Sequence, residues 1–268
     1  MTEFIGDLAR SLGFLSRLPV PSRFFEGHDG SVSRAVRAFP LAGLLLAIPS
    51  ALLLWLLLEW GAEPLLAALI AIAVLTLLSG ALHEDGLADA ADGFGGGRDR
   101  DHILSIMKDS RTGSYGVIAM ILSFSLRATA LASLAGDAGT GDAGAGEASA
   151  ALPALAFLAA AALSRALMVA HWQSLPSARL GGVASGAGRP EAGARTFALI
   201  SAVLVSMLML LAPAGPAALL IALALCAVAA YGTTRLAEGK IGGHTGDTIG
   251  ATQQAGEVVF LVALALAV

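Results

Sequence analysis

The chain has 268 residues, of which 56% are Ala, Val, Ile, Leu, Met, Phe, Trp, Tyr or Cys and 13% are charged, at a mean hydropathy of +0.78. A soluble domain carries about 45–50% apolar and about 25% charged residues, so this composition excludes disorder, a secreted disulfide scaffold and an ordinary soluble fold. The formal charge of −4 gives no support to nucleic-acid binding, and the single cysteine, Cys226, lies in an apolar run where it packs rather than pairs.

Met1–Pro19 has no sustained apolar core and carries Arg10 and Arg17, which is unlike a cleaved signal peptide. Phe4, Leu8, Leu12 and Leu15 fall on one side of a helix and predict a short amphipathic element at the membrane interface. A helix crosses about 30 Å of hydrocarbon with roughly 20 apolar residues. Windows near that length run over Leu41–Trp60, Pro64–Leu82, Gly116–Ala135, Ala151–Trp172, Thr196–Pro213, Pro216–Leu236 and Ile249–Val268, the last of them polar at its start. The expected fold is all-α, a polytopic bundle of about seven transmembrane helices forming one domain over 1–268. Residues 1–40 precede the first span as a cytoplasmic or interfacial segment, and 83–115 form a cytoplasmic catalytic loop.

Basic residues set the orientation expected of these spans. Arg10, Arg17, Arg23, Arg34 and Arg37 precede the first span, and Arg98, Arg100, Lys108 and Arg111 follow the second. Arg179, Arg189, Arg195, Arg235 and Lys240 lie in later loops of the same side, whereas the alternate loops at 61–63, 136–150 and 214–215 have none. This predicts a multi-pass protein of the cell inner membrane, with its N-terminus and polar motifs cytoplasmic and its C-terminus outside. The stretch Gly136–Ala150 reads as a low-complexity spacer, and so does Gly181–Gly193, although arginines there suit an anionic headgroup or substrate.

Polar residues concentrate in two islands. The segment from His83 to Gly116 holds 7 of the 20 acids. If the second span continues as a helix, Asp85, Asp89 and Asp92 fall at i, i+4 and i+7 on one stripe, where three carboxylates repel one another and ask for a cation. Carboxylates without thiols favour a hard ion, Mg²⁺ before Ca²⁺ or Mn²⁺. Small residues leave room for a ligand, and Gly95 and Gly96 offer amides to a phosphate. Lys108, Ser110 and Arg111 follow in KDSRTGSYG and suit a diphosphate, while Lys108 and Arg111 also satisfy the positive-inside rule.

The second island, Gly239–Glu257, opens the last span. Asp247, Ala251 and Gln254 share a helical stripe bordered by Gly250 and Glu257, which belongs in a bundle interior or a wet cavity. His244, three residues from Asp247, has the chemistry of an acid, a base or a phosphate donor. Arg127 is too deep in its span to reach water and should pair with an acid or face a cavity; Arg165 and His171 are expected to snorkel to the cytoplasmic interface.

The blocks FLSRLPVP at 14–21, FPLAG at 39–43, HEDGLADAADG at 83–93, IMKDSRTGSYG at 106–116 and GGHTGDTIGATQQAGE at 242–257 resemble, in this order, the cobalamin-5′-phosphate synthase (adenosylcobinamide-GDP ribazoletransferase) family over nearly the whole chain. Ser16 and Ser114 stand where that pattern usually has Thr, and Ala90 replaces a common Thr. The resemblance implies a Mg²⁺-dependent transfer that joins adenosylcobinamide-GDP to α-ribazole or its 5′-phosphate and releases GMP. It implies Asp85, Asp89 and Asp92 as metal ligands with Glu84 or Asp247 beside them, Lys108 and Arg111 on the diphosphate, and His83, His244 or an aspartate as proton acceptor. Expected partners are these substrates and membrane lipid, with a homo-oligomer or a complex with other cobalamin-assembly enzymes left open. Two other readings stay on the page: a different membrane transferase acting on an activated diphosphate, such as a CDP-alcohol phosphotransferase or a polyprenyl transferase, and an ion-coupled transporter lined by Arg127, Asp247 and Glu257.

Overall fold

In the computed structural model, residues 2–27, 30–136, 150–179 and 186–268 are described. The proposed spacer at 136–150 therefore lies almost wholly outside the described residues. The chain is helical, and among the described residues the only β-type pairing is an isolated bridge between Ser177 and His244. Helix α1 covers Thr2–Leu15, α2 Phe39–Glu59, α3 Pro64–Ser79, α4 Leu82–Gly96, α5 Arg100–Ile106, α6 Ser114–Ala135 and α7 Ala151–Ser174. Three more follow: α8 over Ala192–Leu210, α9 over Pro216–Ile241 and α10 over Gly246–Ala267. Six of these, α2 and α6 to α10, are long and apolar enough to cross a membrane, as the spans read from sequence require.

Helix α7 is the centre of the bundle. It packs against α2, α8, α10 and α6, and Ala159, Ala160, Ala161 and Ala162 are fully buried there. Small side chains let backbones approach closely where lipid supplies no hydrophobic drive. Gly43 on α2 shows how closely: a Cβ on it would come within 2.7 Å of the Ala161 carbonyl oxygen. The outward faces are apolar, with Leu208, Leu220 and Leu266 exposed as lipid-facing residues must be. Buried Cys226 packs in α9, its thiol donating to the Leu223 carbonyl. Helix α1 forms as its apolar stripe predicts, with Leu15 buried and Leu8 and Leu12 packed on the core. Asp7 holds it down through Arg10 and Arg37, each at 2.6 Å.

The second span departs from expectation. It does not continue straight to Leu82: α3 stops at Ser79, Gly80 and Ala81 take left-handed backbone (φ 66° and 56°), and α4 leaves at 91° to α3. Glu63 starts α3 by accepting the amides of Leu65 and Leu66. Sixteen residues of helix reach about 24 Å, less than the hydrocarbon thickness, so α3 alone is a short span. The reason for the break is local. Gly80 closes the helix in the backbone conformation glycine tolerates best, and the sequence after it, HEDGLADAADG, is too polar to continue through lipid. Helix α4 lies instead across α10 and α6 and carries the first polar island with it.

Candidate active site

The bend brings the two islands together. Helix α4 meets the first turn of α10 at two glycines: a Cβ on Gly86 would lie 3.0 Å from the Asp247 carbonyl oxygen and 3.2 Å from Gly250 Cα. Helix α10 starts here because Thr245 caps it, its hydroxyl accepting the Thr248 amide while Thr248 returns a bond to the Thr245 amide. Asp85, Asp89, Asp92 and Asp247 consequently share one electrostatic neighbourhood centred on Asp89. Asp85 is exposed and Asp89 half-buried, and neither side chain has a hydrogen-bond or ion-pair partner among the described residues.

The four acids expected as ligands are used differently. Asp92 is buried, and its two oxygens accept the Gly113 amide at 2.6 Å and the Gly116 amide at 2.9 Å. It thus satisfies otherwise orphaned donors at the start of α6 and closes the loop 97–113 back onto α4. Glu84 is also buried, its Oε1 accepting Gln254 Nε2 at 3.1 Å and facing Arg127 at 3.4 Å. The free carboxylates are Asp85 and Asp89, with Asp247 held by one arginine. Arg179 Nη2 reaches Asp247 Oδ2 at 2.5 Å, and the Thr245 hydroxyl donates to the same oxygen at 3.1 Å.

Among the described residues no three His, Cys, Asp or Glu side chains stand as a ready-made metal cage. The donor set still suits Mg²⁺, which is held by one or two carboxylates and completed by substrate phosphates and water. Asp85 and Asp89, oxygen donors without partners among the described residues, are the residues that could hold such an ion.

The glycines and cations expected on the diphosphate sit less simply. Gly95 and Gly96 are the last residues of α4, so their amides belong to a helical turn rather than to an open phosphate loop, and the Tyr115 ring covers Gly95. Lys108 and Ser110 are exposed just before α6. Arg111 is exposed and forks onto Asp109, at 2.6 Å, which pulls the Asp109 carboxyl down to about 2.

His83 is buried at the head of α4 and its Nε2 has no partner among the described residues. His244 sits in the turn before α10, with its ring edge-on to Trp172 and its Nδ1 unpartnered. Burial, with the charge of Arg189 adding to it, pushes the His244 imidazole down to about 4, so it is neutral at pH 7 and a weak base there. Its backbone pairs with the 176–178 segment, the Ala178 amide donating to the His244 carbonyl and the His244 amide to the Pro176 carbonyl, each at 2.8 Å.

Below this layer lies a second one. Arg127 donates to Glu257 at 3.0 Å and Arg165 to the other oxygen of Glu257 at 2.8 Å, where Gln253 adds a bond at 2.6 Å. With Glu84, this makes two guanidinium groups and two carboxylates, all buried. Arg127 thus pairs as expected. Arg165 and His171 do not snorkel: both are buried, and the His171 ring bridges the Thr234 and Thr248 hydroxyls at 2.9 and 3.0 Å. Both face the polar α10 instead of lipid, which removes any need to reach the interface.

Two arginines escaped the sequence reading except as loop charge. Arg179 joins Asp247, and Arg100 donates to the Ala178 carbonyl at 2.5 Å and to the Ile241 carbonyl at 3.1 Å, tying α5 to the end of α9. Nothing in their spacing marked them, because the partners lie 68 to 141 residues away.

The sequence model of the family described as cobalamin-5-phosphate synthase matches residues 7–265. A Rhizobium meliloti (strain 1021) protein named adenosylcobinamide-GDP ribazoletransferase is 52% identical over 267 residues, covering 99% of this chain and 98% of its own. One of the same name from Brucella ovis is 42% identical over 263 residues, 98% of this chain and 97% of its own. No solved structure matches. With its motifs, its polytopic helical fold and these matches, the chain belongs to the cobalamin-5-phosphate synthase family.

Proposed function

We propose that this protein joins adenosylcobinamide-GDP to α-ribazole or its 5′-phosphate with release of GMP, at the face of the membrane where α4, α6 and α10 meet. The family membership and the names of its relatives support the reaction. The observation that carries the site is the pair Asp85 and Asp89, carboxylates left without partners where the two polar islands touch.

In the reaction a ribose hydroxyl attacks the cobinamide-linked phosphorus, a new P–O bond forms, and the bridging P–O bond to GMP breaks. The hydroxyl proton goes to a neighbouring base, and GMP departs with added negative charge. Asp85 and Asp89, with Asp247 beside them, are the residues that would hold Mg²⁺. The ion would supply neutralisation of the diphosphate and of the leaving group. Lys108 and Arg111, exposed just before α6, are the cations that would meet the diphosphate, Arg111 by exchanging Asp109 for phosphate. The hydroxyl proton would go to an aspartate of the cluster or to His244, which burial makes a weak base; His83, deep beside Arg165 and Arg127, is better suited to holding α4 against α10. Glu84 and Asp92 position the site rather than coordinate within it. The one-sided distribution of arginines supports a cytoplasmic position for this face and an outside C-terminus, and we assign the protein to the inner membrane.

The deep charges argue for an enzyme over an ion pathway, because Arg127, Arg165 and Glu257 are bonded to one another instead of lining a route. Purified protein in nanodiscs, given adenosylcobinamide-GDP, α-ribazole and Mg²⁺, should release GMP, and EDTA should stop it. Absence of GMP release with a folded preparation would refute the reading.

A further inference from the structure

The Asp247 neighbourhood is not empty of positive charge: Arg179 stands in it. Its guanidinium bonds Asp247 at 2.5 Å and acts on the charge of Asp89 as well. The backbone under it is clamped. The Ala178 amide donates to the His244 carbonyl, the Ala178 carbonyl accepts from Arg100, and the Ser177 hydroxyl donates to the Arg179 carbonyl at 2.8 Å. A Cβ on Gly243 would collide with the Pro176 carbonyl, so glycine is what lets this segment lie against the turn before α10. His244 on the same junction is 3% exposed, its ring edge-on to Trp172 and its Nδ1 without a partner among the described residues. Only the Arg179 side chain, half-buried on its fixed base, is left to move.

We infer that Arg179 is the resident counter-ion of the carboxylates and hands Asp247 over when a divalent cation binds, its freed guanidinium then taking the diphosphate of the substrate. The inference rests on the metal reading of Asp85 and Asp89 given above. Its physical basis is charge balance. Three carboxylates in one neighbourhood need a cation, one guanidinium supplies a single charge, and a divalent ion supplies two. Arginine released from a carboxylate keeps its bidentate geometry, which fits a phosphate equally well. Before loading, Arg179 competes with the metal; after loading, it draws in the substrate. Metal and diphosphate binding are thereby coupled through one side chain.

Titration with Mn²⁺ followed by electron paramagnetic resonance, on the full chain in nanodiscs without substrate, reads the first half. Arg179→Gln should bind Mn²⁺ more tightly than the native chain by at least about fivefold, a gain that misfolding does not produce. Arg34→Gln, which removes an equal charge from the Glu3 pair on α1, should leave Mn²⁺ affinity unchanged. The second half is read at saturating Mg²⁺, where Arg179→Gln should raise the KM for adenosylcobinamide-GDP by about tenfold or more, and Arg179→Lys should recover part of it. Equal or weaker Mn²⁺ binding by Arg179→Gln, with binding intact in the native chain, would overturn the role of Arg179 and leave the metal reading standing. No Mn²⁺ binding by either protein would overturn both.

Discussion

Asp89 and Glu257 are both acids in a chain built for lipid, and they are treated in opposite ways. Glu257 is fully buried and has Arg127, Arg165 and Gln253 on its two oxygens. Asp89 is half-buried with no bonded partner among the described residues, and Asp85, Asp92 and Asp247 crowd its charge. A buried charge whose oxygens are saturated is part of the architecture, since removing one partner strands the others. A carboxylate left unpaired among like charges costs stability, and a fold keeps such a group where its charge is used on a ligand. The deep layer holds the helices in register, and the layer above it is where we propose the reaction runs.

The comparison breaks most visibly at Asp89. Asp89→Asn should lower turnover by more than about 10³, because it takes charge from the metal site at constant volume, while thermal stability holds or rises as repulsion is relieved. GMP release and thermal unfolding on the same preparation check both halves. Glu257→Gln should do the reverse: two buried guanidinium groups lose their shared partner, a loss of about 3–5 kcal/mol that appears as a collapsed unfolding temperature and low yield.

Smaller effects sharpen the boundary between the layers. Asp92→Asn turns one acceptor into a donor facing the Gly113 or Gly116 amide, and should cost about 1–3 kcal/mol of stability, with activity falling as the 97–113 loop loosens. Gly86→Ala pushes α4 a few tenths of an ångström off α10 and should lower kcat with little change in unfolding, since misplacement of the carboxylates matters more than lost packing. Acidification probes His244. Its folded-state value near 4 lies below the ordinary 6.5, so the unfolded chain takes up the proton first. The stability it contributes is complete above pH 6.5 and is lost as pH falls toward 4. A flatter unfolding profile over that range in His244→Gln is the expected result. Ala81→Gly should be the mildest change and a stabilising one, by about 1 kcal/mol, because it relieves left-handed backbone at the bend.

Much of this was legible in the sequence. Six apolar helices, the amphipathic α1, the two islands and the pairing of Arg127 follow from run length, period and the expense of charge in lipid. The 91° turn after Ser79 was not, because a polar stripe continues the helical period past it and Gly80 is a weak signal alone. Asp85, Asp89 and Asp92 look alike as a stripe. Only the fold separates Asp92, which meets the start of α6 from 21 and 24 residues away, from the two that stay free. Arg165 and His171 read as snorkelling residues because their polar partners on α9 and α10 are distant in the chain.

The most direct test sets a free carboxylate against an engaged one. Mn²⁺ titration of Asp89→Asn and Asp92→Asn in nanodiscs, each compared with the native chain, should show the ion lost from Asp89→Asn and retained by Asp92→Asn. Mn²⁺ lost from a folded Asp92→Asn and kept by Asp89→Asn would contradict the proposed division between carboxylates that hold the fold and carboxylates that would hold the metal.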